Sequence, residues 1–181
     1  MTTNTVYVME AANLFCGDHD PENSKHLTLD ELSLPSLQAM YQDHHPGGSF
    51  VAMEFEVGIQ KLTSSFKLKG WDPELLKQFG LGTPLKRVYT AYGVVRDKRS
   101  GDALRAKAIM EARLGQAAPD AFSRGNLMGF AYSLNEITHY ELHFGSEEIF
   151  FWDAFTNSLR TGGVDQNAQI NSLLSIPGVS A

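Results

Sequence analysis

Residues 137–152 read ITHYELHFGSEEIFFW. Gly145-Ser146 suits a two-residue hairpin turn with glycine at its first central position. That turn sets a register in which Phe144 faces Glu147, Leu142 faces Ile149 and Tyr140 faces Phe151. This side is apolar and is expected in the core. On the reverse side His143 faces Glu148, Glu141 faces Phe150 and His139 faces Trp152. Burying a Phe or Trp removes about 150–250 Å² from water, worth roughly 2 kcal/mol each. The reverse side is therefore expected to be covered, either by a loop or helix of the same domain or by another subunit. If a subunit covers it, Trp152→Ser impairs assembly more than folding.

Working outward, period-two alternation dominates. Val51, Met53, Phe55 and Val57 alternate with Ala52, Glu54 and Glu56, and Leu62, Ser64, Phe66 and Leu68 alternate with Lys61, Thr63, Ser65, Lys67 and Lys69. Both runs read as strands with one buried face. Residues 26–34 and 87–96 are further strand candidates. Residues 103–114 are ambiguous, because their Ala, Leu, Lys, Arg and Glu favour a helix while Leu104, Ala106, Ala108, Met110 and Ala112 alternate. The polar turn DKRSGD at 97–102 follows a strand and favours a hairpin there. Asp72-Pro73 can open a short helix holding Leu75, Leu76 and Phe79, stopped by Gly80. A C-terminal helix is expected from Val164 to Ser175, ahead of Pro177. The fold class predicted is mainly β: a small barrel or sandwich with one short internal helix and a C-terminal helix, all in a single domain spanning residues 1–181.

Composition narrows the function. The 181 residues carry a net charge of −6, the wrong sign for a dedicated duplex-DNA binder. One cysteine excludes an intramolecular disulfide and a cysteine-based zinc cage. The N-terminal run MTTNTVYVME lacks the basic and apolar regions of a signal peptide, and no apolar run approaches the roughly 18 residues of a membrane helix.

Chemistry is sparse. His139 and His143 would lie about 13 Å apart along one strand, too far to grip one ion directly, and Tyr140 stands where a zinc-protease helix has Glu. Asp18-His19-Asp20 opens like a calcium loop, but Asn23 and Leu29 occupy the positions of its Gly and Glu. Gly80-Leu81-Gly82 starts a dinucleotide fingerprint that Leu85 breaks. Cys16, inside ANLFC, reads as a small core residue. No catalytic residue, metal site or cofactor is expected.

Longer strings carry more information. SKHLTLDELSLP at 24–35, PGG at 46–48 and the run from Phe66 through GWDPELLKQFGLG to Gly82 resemble the major tail tube protein of contractile-tailed bacteriophages. So do TAYGVVRDKRSGDALRAKAIMEARLG at 90–115, APDAFSRG at 118–125, THYELHF at 138–144 and DAFTNSLRTGGVDQNAQINSLLSIPG at 153–178. The GGVDQNA segment is the most specific, and a GVDQ signature before a terminal helix is also similar to tubes of R-type tailocins. The order and spacing cover residues 6–178; the longer N-terminal run MTTNTVYVMEAANLF departs from the pattern.

The resemblance implies a structural virion protein whose hexameric rings stack into the inner tube of a contractile tail, the conduit for genome ejection. It implies a hairpin from Leu37 to Glu54 that reaches the adjacent ring, with Asp43, His44, His45, Pro46, Gly47 and Gly48 at its tip. Candidate interface residues also include Phe150, Trp152, Gly162, Gly163, Val164, Asp165, Gln166 and Asn167. Glu54, Glu56, Glu141 and Glu148 are candidate lumen acids, letting DNA slide rather than stick; ordinary surface solubility is the other reading of the charge. Implied partners are the chain itself, a tail sheath, a baseplate initiator and a tape-measure protein, with DNA passing unbound through the lumen of a virion tail assembled in the host cytoplasm. The rivals are the tube of a DNA-free injection system, tailocin or secretion type, and, from a different class, a small β-barrel enzyme or ligand-binding module using the histidines.

Overall fold

The strand ending at Phe144 begins at Gly129, and this sixteen-residue element organises the sheet. The computed structural model describes residues 4–17, 23–80 and 86–176; the Asp18-His19-Asp20 motif, Leu81-Gly82 and Pro177 lie outside them. In chain order the strands are β1 Tyr7–Cys16, β2 Leu29–Ser33, β3 Ala39–His44, β4 Met53–Ile59 and β5 Ser64–Lys69, then β6 Arg87–Asp97, β7 Ala103–Pro119, β8 Gly129–Phe144, β9 Glu147–Asp153, β10 Ser158–Thr161 and β11 Val164–Asp165. Two short helices, α1 Pro73–Leu76 and α2 Ala168–Leu173, complete the set. The class is mainly β, as the alternation indicates.

One antiparallel sheet runs β1-β6-β7-β8-β9-β10-β11, and β5 and β2 branch from β8. β8 changes neighbours midway: Gly129 to Leu134 pairs with β5, and His139 to Phe144 pairs with β9. At the changeover Glu136 adopts φ 49°, and β7 answers with register shifts at 111–113 and 114–116. Such bulges bend and twist a sheet. The sheet curls until Ser24 bridges Phe15 and the Lys25 amide donates to the Leu14 carbonyl at 3.0 Å. Leu14, Leu68, Tyr89, Met110, Tyr132, Leu134 and Tyr140 fill the interior, with Leu75 of α1 packed among them.

Residues 103–114 are strand. Pairing with β6 on one edge and β8 on the other overrides the local helical preference, and Ala108, Met110, Ala112 and Leu114 are buried in alternation. The capped start of α1 is as expected, with the Leu75 amide donating to Asp72 Oδ1 at 3.0 Å. The helix is only four residues long, so Phe79 lies beyond it and exposed. α2 is likewise shorter than its expected span, since Val164 and Asp165 belong to β11.

Candidate assembly surface

β3 and β4 form a separate two-stranded sheet, paired from His44 with Met53 to Ala39 with Ile59. The sequence placed Val51, Met53, Phe55 and Val57 on a buried face. All four are exposed, Phe55 by 51% and Val57 by 54%, and Phe50 at the tip is fully exposed. Tyr41 is exposed too, on the side shared by Asp43, Glu54 and Glu56. The tip is shaped locally: the Val51 amide donates to Ser49 Oγ, and that hydroxyl donates to the Val51 carbonyl. His44, His45, Pro46, Gly47 and Gly48 belong to the projecting end, where the His44 ring lies 6.3 Å from that of Phe55.

The 137–152 hairpin turns at Gly145-Ser146 and pairs Phe144 with Glu147, as the turn dictates. Beyond that point its register differs. A bulge leaves Ile149 unpaired, so Leu142 meets Phe150, Tyr140 meets Trp152 and Glu141 meets Phe151. Phe150, 5% exposed, and half-buried Trp152 thus join the core side, the Phe150 ring 5.8 Å from that of Tyr140. The bulge exchanges Ile149 and Phe151 on the core side for the larger pair Phe150 and Trp152, which buries more apolar surface. Phe150 thus packs chiefly in the core of its own chain, and Trp152 lies partly buried against that core.

The outward side carries a polar ladder. His139 Nδ1 lies 3.0 Å from Asp153 Oδ2, His139 Nε2 lies 2.9 Å from Glu141 Oε1, and His143 Nε2 lies 2.9 Å from Glu141 Oε2. Ionised carboxylates only accept, so both contacts of His139 are satisfied when both ring nitrogens carry hydrogen. Burial pushes the Glu141 carboxyl up, but the hydrogen bonds from His143 and His139 outweigh it and hold it below the usual range. Arg160 grips Glu148 through two bonds of 2.9 and 2.8 Å and lies 3.6 Å over the Phe151 ring; this guanidinium holds the Glu148 carboxyl low. Of the four acids singled out for a lumen, Glu141 and Glu148 are thus partnered, while Glu54 and Glu56 project without an ion pair among the described residues. Arg160, Phe151 and Asp153 escaped the sequence reading because the bulge, which alternation hides, is what brings Phe151 to this side. The Leu159-Arg160 alternation before Gly162-Gly163 was the signal for β10.

Gly162 and Gly163, at φ 58° and 78°, make the tight turn between β10 and β11, a conformation that favours glycine at both positions. Gly162, Gly163, Val164, Asp165 and Gln166 are exposed. Asn167 faces inward: its Nδ2 donates to the Asn157 carbonyl at 3.0 Å, alongside Asn171 Nδ2 at 3.1 Å. This amide network ties α2 to the β9–β10 turn. Cys16 is buried and its thiol is pushed up to about 12 by burial, so it is a core residue, as its setting indicated.

A family model described as "Phage tail tube protein FII" matches residues 9–174. The chain belongs to the phage tail tube protein FII family. Its fold is similar to that of a chain in an extracellular contractile injection system, the PVC sheath-tube complex in its extended state, at 10% identity and a TM-score of 0.51, covering 75% of this chain and 88% of that one. It is also similar to a chain of the anti-feeding prophage (AFP) baseplate, at 12% identity and a TM-score of 0.50, covering 81% of this chain and 98% of the other. No curated protein matches the sequence. The tail tube protein is structural.

Proposed function

We propose that the chain closes into hexameric rings that stack into the inner tube of a contractile tail, and that the bore conducts the genome into the host. The observation that carries this reading is the β3–β4 hairpin, exposed along nearly its whole length with Met40, Met53, Phe55 and Val57 open to solvent. A lone two-stranded hairpin is marginal in water and needs a third layer. β1 supports the same reading, since it ends the sheet and its residues 7–12 are exposed; an open edge invites pairing with another chain.

Ring stacking employs the tip at Asp43, His44, His45, Pro46, Gly47 and Gly48, and the exposed Gly162 to Gln166 turn supplies a second contact. Glu54 and Glu56 line the bore; Glu148 is paired with Arg160, and Glu141 is hydrogen-bonded to His139 and His143. The role needs no catalysis. A sheath, a baseplate initiator and a tape measure are the partners, in a virion tail assembled in the host cytoplasm.

Electron microscopy of the purified full chain tests the proposal: rings of six or stacked tubes are expected, and dispersed monomers at every concentration overturn it. A tube of a DNA-free injection system, tailocin or secretion type, is the second reading, and it is compatible with the same family and fold. Nuclease-protected DNA inside particles isolated with this tube supports the genome conduit, and its absence supports the second reading.

A further inference from the structure

At the root of the hairpin, where β4 joins the body of the protein, lies an apolar cleft of about 270 Å³. Ile59, Leu62, Phe150, Trp152 and Leu159 make its apolar lining, and Glu56, Gln60, Lys61 and Asn167 are its polar lining residues. The fully exposed Phe50 sits at the opposite end of the same hairpin. An apolar cavity of about 150 Å³ accepts a benzene ring, so this cleft has room for a phenylalanine side chain and part of a neighbour such as Val51.

Phe50 cannot reach the cleft of its own chain. Met53 and Ile59 are the ends of β4, and at about 3.3 Å per residue they stand about 20 Å apart. The strand cannot fold back, because it is paired to β3 from His44 opposite Met53 to Ala39 opposite Ile59. Each copy therefore carries one unmatched apolar tip and one unmatched apolar cleft, about a hairpin's length apart. Two sites that complement each other but cannot meet within one molecule make a head-to-tail contact, which propagates from copy to copy.

We infer that Phe50 of one copy seats in the cleft formed by Leu62, Phe150, Trp152 and Leu159 of the next. This deepens the stacking reading above and rests on it: that reading says the hairpin tip reaches a neighbouring ring, and the cleft is the surface it reaches. It also assigns Trp152 a second task, because one side of its ring packs on the core and another lines the cleft.

The test joins tip to root chemically. Gly48 has open space around the position of an added Cβ, and Lys61 is an exposed lining residue of the cleft, so Gly48→Cys and Lys61→Cys can be combined in the full chain without disturbing the core. Cys16 is buried and stays out of the reaction. A short bismaleimide added to assembled tubes is expected to give a ladder of covalent multimers. Tubes that form but yield no ladder overturn the cleft and leave stacking intact. A wild-type chain that assembles under no condition overturns stacking and the cleft together. Phe50→Ser, on a residue that packs against nothing in its own fold, is expected to raise the critical concentration for assembly about tenfold or more, with Phe50→Leu recovering part of it; assembly of the Ser variant at the wild-type concentration also overturns the cleft.

Discussion

A methyl group has no place at residue 129. A Cβ added to Gly129 would stand 2.4 Å from the Leu68 carbonyl oxygen, and that oxygen belongs to backbone held in the β5–β8 ladder, where Leu68 pairs with Phe130. The clash cannot be relieved by rotating a side chain. Asp120 adds to the constraint, since its Oδ2 accepts from the Gly129 amide at 3.2 Å while its Oδ1 accepts from Lys67 at 2.9 Å. Gly129→Ala is expected to destabilise the fold by ~2 kcal/mol or more, lowering the melting temperature by about 4–8 °C for a chain of this length. A thermal scan showing no loss would mean that β5 and β8 are not held at this spacing. Phe150 shows the limit of reading at the same scale. Its aromatic character announces burial, and it is buried, but in the core of its own chain, because one extra residue at position 149 inverts which side it faces.

At the scale of elements, the β8–β9 pair should be sensitive to acid. The Glu141 carboxyl, lowered by its bonds to His143 and His139, binds its proton more weakly folded than unfolded. Its contribution is complete above the ordinary carboxylate range and is lost as pH falls through the lowered value. Burial pushes the Asp153 carboxyl up, but the Thr156 amide and the His139 ring reverse that and hold it low as well, so both groups act in the same window, below about pH 4. Glu141→Gln is expected to flatten the acid limb of stability, read as denaturant midpoints between pH 7 and 3; an unchanged slope would deny the ladder its electrostatic role. What was legible in the sequence follows from the same elements. β5, β6 and β7 were readable because period-two burial is a one-dimensional signal, and Asp72-Pro73 because a cap is local. The bulge at Ile149 and the partner change at Glu136 were not, since each depends on what lies across the sheet. β4 was legible as a strand and misleading as burial, for alternation reports which side is apolar and not which molecule covers it; β3 carried no such signal.

The whole molecule carries −6, and in the proposed hexameric ring that number becomes a property of a wall. In a hexameric ring the six copies together carry −36, felt over about 8 Å at physiological salt. A bore lined by acids repels a phosphate backbone everywhere alike, so DNA moves through it without a preferred resting place. Glu54 and Glu56 are the acids proposed to act in this way, sharing one side of the hairpin with Asp43 and making no ion pair among the described residues, whereas Glu148 is paired with Arg160 and Glu141 is hydrogen-bonded to His139 and His143. Replacing Glu54 and Glu56 by lysine moves each copy from −6 to −2 and puts cations where the bore is proposed to be smooth. Tubes assembled from Glu54→Lys/Glu56→Lys protein in the presence of short duplex DNA are expected to protect it from nuclease at low salt and to release it as salt is raised, the behaviour of counterion-driven binding. Wild-type tubes are expected to protect none. Because DNA held on the outer wall stays open to the enzyme, equal digestion with both tubes would place these acids away from the bore and return the net charge to an ordinary role in solubility.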